Sequence, residues 1–357
     1  MTDFLIIGGG IAGISAAARL SHLGSVTVLE AEDHLAHHAS GRSAALYEPY
    51  YGLKPVVDLS MASGDHFRAL PNLLTPRGMM ILGKQGEAEI MASEAKLFAL
   101  DPMSVDEARA VVPTLNPDVV KYAAMAMHAW DIDTDLLIQS FAREAKAQGA
   151  VIVTKARVSA ITRDAAGWQV TAGDVTYGAT TIINAAGAWV DQIAQLAGVA
   201  PLGFQPMRRS MARIPAPGGL DLSNWPMLFG VGETWYAKPD AGALIVSPAE
   251  EHPMEPHDAW ADDMVLAEGL ARYEEMMSEP VGRLISNWAG LRTFSPDRVL
   301  VIGRDPVQPD FFWLAGQGGY GFQSSAAASQ LAADLIAGRP SVLDTQTVAA
   351  LSPARFA

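Results

Sequence analysis

The apolar residues of this chain first come as a solid block and then at helical spacing. Phe4–Ile7 is apolar throughout, as expected of a strand covered on both faces. Three glycines follow, then a run rich in small residues (Ala16, Ala17), then a second apolar strand closed by Glu30. The order predicted is strand, tight turn, helix, strand. Helical spacing returns over Val56–Leu70, Glu87–Leu97 and Ser104–Val112, the last with Ser104 and Glu107 placed as a capping box. Thr134 or Asp133 caps a helix over Asp135–Gln148, which Gly149 ends. Pro76–Leu82 reads as a turn into a strand, and Tyr122–Trp130 as extended chain. Short strands follow at Val151–Thr154, Val158–Thr162, Trp168–Ala172, Asp174–Tyr177 and Thr180–Asn184, before a helix at Val190–Leu196.

From Pro201 to Asn287 the pattern changes. Proline, Met and Trp increase, and alternation replaces helical periodicity at Arg208–Ile214, Met227–Val231, Trp235–Lys238 and Leu244–Pro248. One helix, Asp262–Met277, interrupts it. The end of the chain returns to the first pattern, with strands Val299–Gly303 and Phe311–Leu314 and a helix over Ser324–Ile336 stopped by Gly338. The fold class expected is α/β, a Rossmann-like nucleotide-binding part carrying an inserted, mainly antiparallel-β part. The nucleotide-binding part comprises residues 1–50, 135–200 and 288–357, and the inserted substrate-binding part residues 51–134 and 201–287.

The first turn has specific chemistry. Gly8-x-Gly10-x-x-Gly13 follows a strand and opens a helix. Gly8 permits the turn, Gly10 lets a pyrophosphate approach the backbone, and Gly13 lets the helix pack close to the sheet. The helix N-terminus offers free N–H groups and a positive dipole end. Glu30 stands about 20 residues on, where an acid meets ribose hydroxyls. An acid there disfavours a 2′-phosphate, leaving FAD or NAD. Two more glycine-rich strand-to-helix turns occur, at Ala185-Ala186-Gly187-Ala188-Trp189 and at Gly316–Gln323. The loop Ser40-Gly41-Arg42-Ser43 adds hydroxyls, a guanidinium and open N–H groups. NAD needs one such turn, whereas several spread along the chain fit the longer FAD.

Bulk properties narrow the function class. The 357 residues exceed one ordinary core, and half are hydrophobic. A net charge of −14 opposes nucleic acid and anionic lipid as main partners. Without cysteine there is no disulfide, thiolate metal site, Fe–S cluster or cysteinyl flavin link, so FAD is expected to be non-covalent. The nucleotide motif starts within a few residues of Met1, and no apolar run reaches the ~18 residues of a membrane span, so the expectation is a soluble cytoplasmic enzyme. No metal is expected. His34, His37 and His38 lie next to the flexible Ser40–Ser43 loop and are read as loop residues rather than metal ligands. The alternating Asp131, Asp133 and Asp135 lack the glycine and closing glutamate of a calcium loop.

The stretches GGGIAG, SGRSAALY, DIDTD, NAAGAW, PLGFQPMRRS, YAKPDAG, WAGLRTF and QGGYGFQ run from Gly8 to Gln323. In them the chain resembles the FAD-dependent amine and D-amino-acid oxidase/dehydrogenase family, the glycine oxidase and sarcosine oxidase relatives, and most of all its D-arginine dehydrogenase branch. The resemblance implies oxidative deamination. An α-amino acid gives its Cα hydride to flavin N5, and the imino acid hydrolyses to an oxo acid and ammonia. It implies that Arg292 grips the substrate carboxylate with Arg209 and Tyr236 in support, that the Gly319 carbonyl receives the amine, and that Tyr51 closes the pocket. It implies a cofactor cradle of Gly8, Gly10, Ile11, Ala12, Gly13, Glu30, Ala31, Ser40–Ser43, Ala45, Leu46, Val158, Ala185–Gly187, Trp189, Gly303, Gly316 and Gly318–Gln323.

Two positions depart from the D-arginine dehydrogenase pattern. Met79 stands where that branch has a glutamate for the guanidinium, and Leu46 where it has a histidine. An unpaired buried guanidinium is costly, so the expected substrate is a hydrophobic or mixed D-amino acid. Basic substrates are accommodated only if Glu48 supplies the missing acid. Two other readings stand beside this one: a secondary-amine or N-methyl-amino-acid oxidase (sarcosine- or proline-like), and a non-catalytic FAD subunit of an amine dehydrogenase complex. Oxygen, a quinone and an electron-transfer protein all remain open as electron acceptors.

Overall fold

The computed structural model describes residues 1–357. Strand β1 (Thr2–Ile7) is buried along its last four residues, as its unbroken apolar run requires. It pairs in parallel with β2 (Val26–Leu29) on one side and with Val175–Asn184 on the other. Val151–Val153 extends the parallel set beyond β2, and Phe311–Ala315 pairs in parallel with Val175–Asn184. An antiparallel meander, Val158–Asp164 and Gly167–Ala172, joins at one edge, and Val301–Arg304 adds to Phe311–Ala315. This makes an eight-stranded sheet. Helix α1 (Ile11–Leu20) packs on one face with the helices Lys54–Ala69, Thr134–Ala147 and Gly321–Ala337, sharing one core with Ile6, Val28 and Leu314. The opposite face covers Trp168, Trp313 and Phe311 with the meander and Val190–Leu196.

A second sheet of nine strands is built mainly from residues 201–294, completed by strands Met79–Lys84, Asp101–Met103 and Val120–Ala126. It is antiparallel except where Met227–Gly230 runs parallel to Met79–Lys84. The sequence reading differs from the structure in several places. Helix Lys54–Ala69, placed with the inserted part, packs by Val56, Leu59 and Phe67 into the core under the eight-stranded sheet. Tyr122–Trp130 is two strands, Val120–Ala126 and Trp130–Ile132, in different sheets, and helix Thr345–Leu351 was not expected. Asp174–Tyr177 and Thr180–Asn184 form one strand, because pairing with Gly167–Ala172 and then with β1 continues through Gly178 and Ala179. The last long helix begins at Gly321, three residues before the expected Ser324. Ser286–Phe294, not assigned as a strand from its pattern and placed from residue 288 with the nucleotide-binding part, pairs along its whole length with Gln205–Pro215 in the nine-stranded sheet.

Local expectations at the caps hold. Ser104 and Glu107 form a capping box, and Asp133 rather than Thr134 caps the helix Thr134–Ala147 by accepting from the Leu136 N–H. Gly338 ends its helix in the left-handed conformation. Asp131 has a structural use, pairing with Arg77 at 2.7 Å and with Lys238 at 3.0 Å.

Candidate active site

The C-terminal ends of β1, β2, Val175–Asn184 and Phe311–Ala315 all lie at the same sheet edge, where ligands bind in parallel α/β sheets. The four turns leaving them are Gly8–Gly10, Glu30–Ala31, Ala185–Gly187 and Gly316–Gln323. Two cavities open there, of about 320 Å³ and about 290 Å³, and both are bounded by Gly10, Ser40, Arg42, Ala185 and Gly187. Together they form one elongated cleft.

The first cavity is lined by Gly8, Glu30, Ala31, Val158, Ala186 and Trp189. Its geometry fits the adenosine and pyrophosphate of FAD. Gly8 has φ +110°, and a Cβ there would stand 2.4 Å from the Ala185 carbonyl oxygen. A Cβ on Gly13 would stand 1.9 Å from the Gly8 carbonyl oxygen, so α1 reaches this depth only with hydrogen at that position. Glu30 is buried and accepts from the Gly9 N–H at 2.6 Å and from the Glu32 N–H at 2.8 Å, which aims its carboxylate at the turn. The Ser40 hydroxyl accepts from the Ile11 N–H at 3.0 Å and ties the second loop to the helix N-terminus. Arg42 crosses the junction, donating to the Ala259 and Ala289 carbonyls and pairing with Asp258.

The second cavity is lined by Ile11, Ala12, Ser43, Ala45, Leu46, Gly318, Gly319, Gly321, Phe322 and Gln323 on the nucleotide side. Glu48, Tyr51, Arg209, Tyr236 and Arg292 face it from the other sheet and the loops. Arg292 lies directly on Gly319, where a Cβ would be 3.0 Å from its Nη1. That Nη1 is buried without a hydrogen-bond partner, and the nearest carboxylate, Glu233, is 4.0 Å away. Arg209 differs. It pairs with Glu233 at 3.3 Å and with Glu251 at 3.2 Å, so its charge is already met. Tyr51 donates to Glu233 at 2.9 Å, and burial followed by the Glu233 charge raises its phenol far above the usual value. The Tyr236 hydroxyl lies 3.3 Å from the Met211 sulfur.

Some expected cradle residues lie behind the cleft. Tyr320 packs on Tyr51 and Phe294. Gly316 backs onto Phe204, Gly303 onto Pro353, and Gly41 onto the Ala36 carbonyl. These glycines permit close packing of chain on chain, a role indistinguishable from ligand contact in a linear motif.

Glu233 and Glu251 are the residues that sequence reasoning missed. Glu233 ends the turn Val231–Glu233 at φ +52°, between strands Met227–Gly230 and Tyr236–Asp240. A lone acid in a Gly-Val-Gly-Glu turn reads as a solvated loop. The available signal was its place three residues before Tyr236 in an otherwise apolar run. The histidines near residue 37 also differ from expectation. Folding brings Glu32 within 3.1 Å of His38 and Asp258 within 3.8 Å of His37. Two sets of possible ligands result, Glu32 with His37 and His38, and Asp33 with His34 and His37, while Glu32 also pairs with Arg157 and Asp258 with Arg42.

Glu48 is buried, and burial pushes its carboxyl up to about 8, with only the Tyr50 N–H acting in the other direction. The unfolded chain releases that proton near pH 4.3 while the folded chain keeps it. Stability therefore falls as pH rises from about 4 to about 8 and levels off above. Glu48→Gln removes this dependence. The variant is expected to gain stability on the parent through that window, by on the order of a few kcal/mol at its upper end, read as a rising difference in melting temperature in thermal unfolding across pH.

The comparisons with known proteins decide the family. The model described as "FAD dependent oxidoreductase" matches residues 3–335. The chain belongs to this family. The "FAD-dependent oxidoreductase domain-containing protein 1" of Bos taurus is 24% identical over 401 residues, covering 94% of this chain and 81% of that protein. Glycine oxidase from Geobacillus kaustophilus superposes with a TM-score of 0.83 at 20% identity, covering 98% of both chains. L-proline dehydrogenase from P. horikoshii superposes at 0.84 and 20% identity, covering 99% of this chain and 97% of that one. These matches bear out the family, its Rossmann-like FAD-binding fold and FAD as cofactor. They do not single out the D-arginine dehydrogenase branch that the sequence signatures suggested. No helix is long and apolar enough to cross a membrane.

Proposed function

We propose that this family member deaminates D-amino acids oxidatively, with hydrophobic or mixed side chains preferred over D-arginine. The observation that carries the reading is Arg292, a half-buried guanidinium whose Nη1 is buried and free in the cavity that adjoins the FAD cradle. A guanidinium with an open edge takes a carboxylate as a two-pronged, charge-assisted pair. Arg209 acts through Glu233 and Tyr51, shaping the pocket around Arg292 rather than binding the substrate itself. The Gly319 carbonyl, beside Arg292, receives the substrate amine. The substrate side chain meets Met79, Ile81, Met227 and Phe229, an apolar wall that excludes water and offers a guanidinium no partner. FAD, when bound, supplies the acceptor for the Cα hydrogen and its electron pair. The protein's part is to hold Cα in one orientation and to keep the amine desolvated.

The same cavity suits a secondary amine, and the likeness to an L-proline dehydrogenase structure favours that as the second reading. Anaerobic flavin bleaching across D-, L- and N-methyl amino acids separates the two. The expected result is rapid bleaching by apolar D-amino acids. D-Arginine as the sole good substrate, or bleaching by sarcosine and proline alone, overturns the first reading. No bleaching by any amine points to the non-catalytic subunit instead.

A further inference from the structure

Glu48 has one oxygen occupied and one free. Its Oε1 accepts from the Tyr50 N–H at 3.0 Å. Its Oε2 is buried without a hydrogen-bond partner, 3.5 Å from His128 Nε2, which is also buried and unpartnered. The Tyr50 ring meets the His128 ring edge-on at 5.0 Å and holds it in place. Glu48 lines the substrate cavity, while the His128 side chain remains 27% exposed, so the pair joins the cavity to solvent. Hydride loss from an amino acid requires the neutral amine, whereas the substrate arrives as an ammonium. Two carboxylates on the cavity wall have no cation beside them, Glu48 and Glu94, and Glu94 is held by the Gly232 N–H at 2.9 Å, which leaves Glu48 as the one with a second titratable side chain at its free oxygen.

We propose that Glu48 and His128 form a relay that carries the substrate's ammonium proton to solvent. The inference rests on the amine-oxidising reading above. In the step, an N–H bond of the ammonium breaks, its electron pair stays on nitrogen, and the proton forms an O–H bond at Glu48 Oε2. That proton then passes to the buried His128 Nε2, and the ring gives up the proton of its other nitrogen, Nδ1, to solvent. The surroundings suit both roles. Burial raises Glu48 to about 8, near the range of an amine, so the transfer is close to balanced. Burial lowers His128, against the Phe98 carbonyl and Asp101, which keeps Nε2 available as an acceptor. The other titratable groups around Glu48 are Tyr47, Tyr50 and Tyr51 beside it in the chain and, on the same cavity, Glu94, Arg209, Glu233, Tyr236 and Arg292. An arriving ammonium favours the Glu48 carboxylate, so binding near neutral pH releases a proton.

The test uses the FAD-loaded enzyme and 2-aminoisobutyrate, which has no Cα hydrogen and cannot be oxidised. Calorimetry in buffers of unlike ionisation enthalpy counts the protons released. The parent is expected to release about one near pH 7, and Glu48→Gln none. In stopped-flow reduction by the best substrate, Glu48→Gln is expected to slow about 10²-fold at neutral pH and recover as pH rises and the free amine becomes available. His128→Gln shows a smaller loss with the same recovery. Parent-like proton release and pH profile in Glu48→Gln overturn the relay alone, with amino-acid oxidation intact. An enzyme that no amine reduces overturns the amine-oxidising reading and the relay with it.

Discussion

Gly13→Ala is expected to yield a colourless protein. The added methyl would stand 1.9 Å from the Gly8 carbonyl oxygen, a backbone atom that no rotamer change can move. Gly13 is helical, so its conformation suits alanine, and the obstacle is space alone. Helix α1 must lift from β1, which opens the core around Ile6 and Ile14 and displaces the N–H groups at the helix start. A forced fit of this kind costs about 1–3 kcal/mol or more. Gly10→Ala serves as the companion variant. Gly10 has φ −75°, and its Cβ would meet only the Ser40 Oγ, at 3.2 Å, while projecting into the junction of the two cavities. It is expected to fold with nearly parental stability and still lose FAD. The flavin absorbance of the purified variants and their melting temperatures decide both points. A yellow Gly10→Ala protein with parental FAD affinity would contradict this account of the cradle.

Arg292→Ala is expected to lower kcat/KM for the best amino acid by about 10²–10³-fold while FAD stays bound. The side chain supplies the one guanidinium edge in the cavity that no carboxylate already holds. Arg292→Lys recovers a fraction of the loss, because a point charge restores attraction but not the two-pronged geometry. Arg209→Met should behave in the opposite way. It leaves Glu233 and Glu251 short of a cation, so stability drops more than substrate affinity. Steady-state kinetics and thermal unfolding on the same preparations distinguish them. Equal kinetic losses at the two positions would mean that both arginines touch the substrate.

The legible parts of this chain were those in which a local pattern has a local cause. An unbroken apolar strand, a glycine turn and a helix of small residues leave one close-packed arrangement, and Phe4–Glu30 adopts it. The capping box at Ser104 and the stop at Gly338 were equally readable. Ser286–Phe294 was not. Its pairing with Gln205–Pro215 joins segments about 80 residues apart, and register across such a distance is set by the sheet rather than by either segment. Glycines were ambiguous for a related reason. Gly10 and Gly319 face the cleft, while Gly41, Gly303 and Gly316 only let chain pack on chain.

The amino-acid sequence alone determined the nucleotide-binding turn, the two kinds of sheet and the presence of Arg292 in a family signature, because these depend on residue type and short spacing. Tertiary structure alone decided which charges are spent. Arg208 and Arg209 are neighbours and equal in sequence, yet only Arg209 meets Glu233 and Glu251 beside the cavity, while Arg208 turns to Glu250 and Asp262. Glu48 is an ordinary loop acid until folding removes its water and leaves His128 as its one side-chain neighbour within ion-pair reach. Desolvation and pairing are properties of a place in three dimensions, assembled here from strands and turns far apart along the chain.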